Sequence, residues 1–353
     1  MPPRAALAAS RLALFALALS AWDCAGGSGT RPGSEGNPAA GGSGAGGNGG
    51  VAAVGAPVTF VIDLGATRRP VSDAIYGINA YPGANLLVGR STKWGLFRFG
   101  GNSYTAWNWE TNDENAGSDL PNFPNYNSFM PTGSPDSNTA GAVLDGVVSI
   151  DKAQSHAAAS LVTVSLQDYV AADHAGDVAN PSEFAVSARF IRNLASKGSE
   201  LCSCAPEAPS CVSGCLIDRN DGSVYQDEYV HFLKTLFPSS QDSPSTGIFF
   251  DLDNEPDAWW LTHREVWTAV DANNLSSYDE ISDRNVTFAT AIKAEWPEAL
   301  VFGPSVTSLD GMVSAGHDYA SSHKPTEFLD YYLTRMAAAS ASAGTRLLDV
   351  LDV

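Results

Sequence analysis

Phe249-Phe250-Asp251-Leu252-Asp253-Asn254-Glu255-Pro256 decides how the rest of this 353-residue chain is read. Apolar and acidic side chains alternate, the period-two signature of a strand, whose successive side chains leave opposite faces. With Phe250 and Leu252 packed against helices, Asp251, Asp253 and Glu255 turn to the other face, which in a barrel is the interior. Three acids in one confined space cannot all ionise cheaply. Repulsion and desolvation raise at least one pKa, and a general acid working near neutral pH needs such a shift. Glu255 lies nearest the rim, within reach of a substrate, and Asn254 beside it offers an amide that both donates and accepts. Pro256 helps to end the strand. A calcium site or a salt-bridged acidic patch is the alternative use of the same acids.

On both sides of this stretch one theme repeats. Short apolar runs at Ala74–Asn79, Leu96–Asn102, Ser160–Leu166, Gly247–Pro256, Ala299–Ser305 and Leu348–Val353 read as strands. Between them, Thr139–Ala159, Pro181–Lys197, Gln226–Leu236, Ser282–Trp296 and Thr326–Ala343 carry helical patterning. Such alternation is the mark of a parallel sheet. Several runs end in polar groups, namely Asn79, Asn102, Asn254 with Glu255, and Ser305, as strands do at the C-terminal rim of a parallel barrel. The first run leads into Ala80-Tyr81-Pro82-Gly83, not a Gly-rich phosphate turn, which sets aside a doubly wound nucleotide-binding sheet. The expected class is α/β, a (β/α)8 TIM-type barrel with about six of its eight strands present. Trp107, Trp109, Trp259 and Trp260, with Tyr81 and Tyr104, follow the strand ends. Rings in rim loops are platforms for the apolar faces of sugars, and each ring taken singly serves equally as core or lid packing.

Charge narrows the partners. With 39 acidic against 20 basic side chains the chain carries −19, which repels phosphate backbones and anionic lipid and leaves neutral polymers open. Arg4 and Arg11 flank the apolar run Leu12–Leu19, so residues 1–24 read as a signal peptide and residues 25–56 as a Gly/Ser-rich linker. The barrel domain is expected over residues 57–353, secreted or on the outer surface, and monomeric. Cys24 occupies the place of an acylated lipoprotein cysteine, although Trp22 and Asp23 precede it where small residues belong; only its lipidation would attach the chain to a membrane. Cys202, Cys204, Cys211 and Cys215 suit either zinc or two disulfides; export favours disulfides, with three pairings open. No cofactor is expected. Asp113-x-Asn115-x-Gly117-x-Asp119 has the alternating oxygens of a calcium loop but lacks the third-position oxygen and the distal glutamate. A turn closed by its own side chains is the plainer reading. The six histidines show no ligand spacing.

Six separated blocks resemble, in collinear order, the catalytic domain of glycoside hydrolase family 44. They are RFGGNSYTAWNWETNDENAGSD (Arg98–Asp119), LVTVSLQDYVAAD (Leu161–Asp173), YQDEYVHFLKTLF (Tyr225–Phe237), FFDLDNEPDAWWLTH (Phe249–His263), VFGPSV (Val301–Val306) and the segment from Phe328 to Val353. The resemblance implies a retaining endo-β-1,4-glucanase acting on cellulose or xyloglucan. Its acid/base glutamate stands at the end of strand four, which Glu255 matches, and its nucleophile at the end of strand seven. Asn254 would bind substrate beside the scissile bond and Arg98 with Asn102 would line the floor, while Trp107, Trp109, Trp259 and Tyr104 are the expected ring contacts to a β-glucan. Retaining hydrolysis needs two carboxyl groups about 5–5.5 Å apart. Val353 falls inside the expected sixth strand, so the nucleophile strand is expected to lie beyond it, in a truncated gene or polypeptide. Asp251 and Asp253 share the strand of Glu255 and approach from its side; Glu110 and Asp168 are the remaining acids near strand ends. The alternative function is a catalytically incomplete remnant that at most binds polysaccharide.

Overall fold

A computed structural model describes residues 65, 70–79, 94–127, 140, 158–204, 215–238, 247–267, 276–315 and 322–353. The leader and linker, Cys24, Tyr81, Cys211 and nearly all of the helix expected at 139–159 lie outside the described residues. Six strands, β1 (Gly77–Asn79), β2 (Leu96–Phe99), β3 (Ala159–Val164), β4 (Ile248–Leu252), β5 (Val301–Pro304) and β6 (Val350–Asp352), form one sheet in chain order. Every neighbouring pair is parallel. This is the order of an unrolled (β/α) barrel, and all six strands coincide with the apolar runs of the sequence.

The sheet buries both faces. Phe97, Phe99, Val162, Val164, Phe250, Leu252 and Val301 belong to the large core shared with the helices, where Phe250 meets Trp296 edge-on at 5.9 Å. Leu161 and Phe249 pack with Ala159, Leu96 and Phe302 in a separate cluster, the one on the inner, curled side. Neighbours in sequence thus alternate between two apolar environments, as in a barrel wall. Six helices are labelled in chain order: α1 (Asn102–Thr105), α2 (Gln226–Leu236), α3 (Trp259–Thr262), α4 (Tyr278–Glu295), α5 (Leu309–Ser314) and α6 (Phe328–Ala343). The Ser277 hydroxyl caps α4 by accepting from the Glu280 N–H, with Asp279 and Glu280 in the first turn and Lys293 in the last, which suits the helix dipole. Gly344, at φ 69°, closes α6 in the left-handed conformation that glycine adopts freely. Among the described residues no helix is long and apolar enough to cross a membrane.

The helix expected at Pro181–Lys197 does not form. A single 3-10 turn at Pro181–Glu183 leads into a strand, Phe190–Leu194, which pairs antiparallel with Tyr169–Ala171 and parallel with Ser223–Tyr225. Asn193 explains the override. Its buried amide donates to the carbonyls of Ser165 and Gln167, 2.8 Å each, and accepts from Gln226 Nε2 at 2.8 Å, bonds that only an extended segment lying along the end of β3 can make. Nearby, Cys202 and Cys215 form a disulfide and Cys204 is also disulfide-bonded, so these thiols are not zinc ligands.

Candidate active site

β4 ends at Leu252, and beyond it Asp253 (φ 68°) and Glu255 (φ 50°) take left-handed backbone conformations unusual for residues with a side chain. The regular alternation expected through Glu255 therefore stops at the strand end. Of the three acids expected along one strand face, only Asp251 occupies the strand; the other two ride a tight turn. Strand-to-turn transitions of this kind concentrate at functional sites, where surrounding bonds hold an otherwise unfavourable backbone.

Those bonds link every polar strand end singled out in the sequence. Fully buried Asp251 accepts from Arg98 Nε at 3.1 Å and from Ser305 Oγ at 2.5 Å. Arg98 also donates through Nη2 to Asn254 Oδ1 at 3.0 Å and through Nη1 to Asn79 Oδ1 at 3.4 Å. Gly100 makes room for it: a Cβ there would lie 2.5 Å from the guanidinium carbon of Arg98. Asn254 Nδ2 donates to Asn102 Oδ1 at 3.4 Å, and Asn102 Nδ2 donates to Asp119 Oδ1 at 2.8 Å. The backbone N–H of Glu255 donates to the Ser305 carbonyl at 2.9 Å, tying the end of β4 to the end of β5. Arg98, Asn102, Asn254 and Glu255 are thus brought together at the ends of the strands.

Electrostatics single out the acids. Burial pushes Asp251 up to about 7, against the attraction of Arg98 and with repulsion from Asp352. Burial lifts Asp253 to about 6, opposed by its hydrogen bonds from Thr105, Leu166 and Asn254. Glu255 is half-buried, and its carboxyl is also held above the ordinary glutamate value, first by desolvation, then by the charges of Asp257 and Asp119, while Arg98 and His263 pull it down. Among the described residues the Glu255 carboxyl has no hydrogen-bond partner. A partly accessible carboxyl raised in this way keeps its proton to higher pH than an ordinary glutamate, the direction that a group handing a proton to a bound oxygen requires.

The aromatic platform is corrected by the structure. Tyr104, Trp107, Trp109 and Trp259 are at most 2% exposed. Past the rim the chain folds back through α1 and α3 and carries these rings under the loops. Trp109 packs on Tyr229 and Phe232 and donates to the Tyr225 carbonyl at 3.2 Å; Trp259 donates to the Asn254 carbonyl at 3.0 Å. They are scaffold for the site, not surfaces for a sugar. Trp260 is partly exposed, alone among the described rings of that set.

The other candidate acids sit in different surroundings. Glu110 is buried and lifted to about 8 by desolvation and by Glu228 and Asp221, and Asp168 is bound by Arg284 at 3.0 and 3.1 Å. The charges felt most by Glu255 include neither. In the loop with calcium spacing, Asp113 bonds Thr111 and His174, Asp119 bonds Asn102, and Asn115 Oδ1 closes the turn by accepting from the Gly117 N–H at 2.7 Å. Among the described residues no group of three or more His, Cys, Asp or Glu side chains converges as metal ligands. Sequence reading missed Thr105, Asp257 and the buried His263–Glu265 pair, whose Nδ1 and Oε1 lie 2.7 Å apart. Asp257 adjoins the decisive stretch and carried a signal; Thr105 and His263 carried none.

The profile of glycoside hydrolase family 44 matches residues 103–353. Endoglucanase A of Paenibacillus lautus is 32% identical over 315 residues, 86% of this chain and 40% of that protein. The beta-mannanase/endoglucanase A of Caldicellulosiruptor saccharolyticus is 31% identical over 304 residues, 84% of this chain and 20% of that protein. Among solved structures, a family 44 xyloglucanase from Paenibacillus polymyxa superposes with a TM-score of 0.68 at 32% identity, covering 81% of this chain and 52% of that one. A family 44 endoglucanase from Clostridium thermocellum gives 0.67 at 30% identity, with the same coverages of 81% and 52%. The chain therefore spans less than half the length of these two sequence relatives and about half of the solved chains.

Proposed function

This chain belongs to glycoside hydrolase family 44, and on that premise we propose that it serves the hydrolysis of internal β-1,4 bonds in glucans of the cellulose or xyloglucan type. Glu255 protonates the glycosidic oxygen, Asn254 binds beside the scissile bond, and Arg98 with Asn102 forms the floor that holds Asn254 in place. The single observation carrying this reading is the half-buried Glu255 carboxyl, its pKa raised and without a hydrogen-bond partner among the described residues, beside an Asn254 held by Arg98 and Asn102 at the end of the fourth parallel strand. The glucan-acting relatives support the substrate class, and the leader-like residues 1–24 support export to where such polymers occur. By the retaining scheme of the family, departure of the protonated leaving group accompanies attack by a second carboxylate on the anomeric carbon, and water then releases the sugar with Glu255 as base. The test is reducing-sugar release from carboxymethylcellulose and xyloglucan. Glu255→Gln is expected to lower kcat by roughly 100-fold or more while leaving glucan retention intact; undiminished turnover in that variant would remove Glu255 from the reaction.

A second reading, glucan binding without turnover by residues 1–353, draws on the acids nearest Glu255. Asp251 is committed to Arg98 and Ser305, Asp257 to Thr307 and Asp119 to Asn102. Each is tied into the network around the turn, and Asp251 is fully buried. Retention on cellulose with no sugar release would favour this reading.

A further inference from the structure

Asp253, like Asp251, is an acid of the 249–256 stretch to which the proposed reaction gives no role. It is fully buried and sits at φ 68°, a conformation that L side chains rarely adopt. Its carboxyl collects three short hydrogen bonds from three places. Thr105 Oγ1 donates to Oδ1 at 2.6 Å from the end of α1, and the Leu166 backbone N–H donates to Oδ2 at 2.6 Å from just past β3. The Asn254 backbone N–H donates to Oδ1 at 2.7 Å from within the turn itself. All three partners are donors, so the site is built for an acceptor-only group, an ionised carboxylate. On the far side of the turn the Glu255 N–H is held by the Ser305 carbonyl, and the Asn254 carbonyl by Trp259.

Resting on the function proposed above, we propose that Asp253 is a positioning residue: its carboxylate ties the ends of α1 and β3 to the left-handed turn and so aims Asn254 and Glu255 at the substrate. Thr105 is part of the same device. An asparagine at 253 has the right shape but turns an N–H2 toward either Leu166 N–H or the Thr105 and Asn254 donors, so one contact becomes donor against donor.

The experiment uses the full chain with Asp253→Asn, Thr105→Val, Thr105→Ser and Glu255→Gln. It reads amide hydrogen exchange at Asn254 and Leu166, the 13C titration of the Glu255 carboxyl, and kcat and KM on xyloglucan. Asp253→Asn is expected to speed exchange at these two amides roughly 10- to 100-fold relative to amides within β4. With the turn released, Glu255 titrates closer to an ordinary glutamate. kcat drops roughly 10- to 100-fold while KM stays within about threefold, because a misaimed acid costs chemistry more than binding. Thr105→Val moves every readout the same way by less, and Thr105→Ser, which keeps the hydroxyl, restores wild-type behaviour. Thr105→Val also decides the matter should Asp253→Asn fail to fold. Wild-type exchange and an unmoved Glu255 titration in the folded variants overturn the proposal. Glu255→Gln separates the two ideas: loss of turnover with unchanged exchange supports the hydrolase reading. Retained turnover defeats that reading while the exchange and titration data still judge Asp253.

Discussion

Replacing Asp251 by asparagine should change how stability depends on pH more than it changes stability itself. Asp251 is fully buried between Arg98 and Ser305 and is pushed up to about 7 from an ordinary value of 3.8. Its ionised form is therefore disfavoured in the folded chain relative to the unfolded one. The stability that this raised pKa confers is fully present below pH 3.8 and is lost as pH rises through about 7. A shift of about three units corresponds to about 4 kcal/mol at 1.36 kcal/mol per unit, of which roughly 2.5 kcal/mol falls between pH 5 and pH 8. Asparagine cannot titrate, and it keeps one acceptor for Ser305 or Arg98 but not both. At pH 5 the wild type should be the more stable protein, because neutral Asp251 still donates or accepts as its neighbours require. By pH 8 its advantage should have shrunk by roughly 2.5 kcal/mol or reversed. Urea unfolding of both proteins at pH 5, 6, 7 and 8, with m-values compared to verify a common unfolded state, measures the difference, and all other titrating groups cancel. A gap that stays constant across this range would show that Asp251 is ionised throughout, with Arg98 fully offsetting the cost of burial.

Two further outcomes follow from burial and connectivity. Trp109→Ala should destabilise the chain by about 3–5 kcal/mol, since an unexposed ring packed on Tyr229 and Phe232 leaves a cavity; a variant that unfolds like wild type and only binds glucan less well would return Trp109 to the rim. The double change Cys202→Ser with Cys215→Ser should lower the urea midpoint by an amount worth about 3 kcal/mol, as expected for a cross-link of 13 residues' separation, and leave the Glu255 titration unmoved. A shifted Glu255 titration would mean that the disulfide loop reaches the site.

The legible parts of this protein were those written in local pattern. All six strands and three of the helices, Gln226–Leu236, Tyr278–Glu295 and Phe328–Ala343, lie close to where apolar periodicity put them, because which face a side chain takes depends on its immediate neighbours. Asn254 and Glu255 were legible because a polar pair closing an apolar strand has few uses other than a rim. The tryptophans were misjudged for the opposite reason: a ring seven to ten residues past a strand end faces solvent or core according to which way the following turn bends. Phe190–Leu194 shows the same limit, its helical pattern yielding to bonds from Asn193 to residues more than 25 positions away.

Chain order of the strands, the half-apolar character of each and the acid at the fourth strand's end belong to the sequence by itself, since each rests on spacings of a few residues. Tertiary structure alone decided that Arg98 would reach Asp251 across 153 positions, that Thr105 would reach Asp253 across 148, and that the acids after Leu252 would leave the strand for a left-handed turn. Parallel register sets those meetings, and register is a property of whole strands laid side by side, carried by no single stretch of the chain.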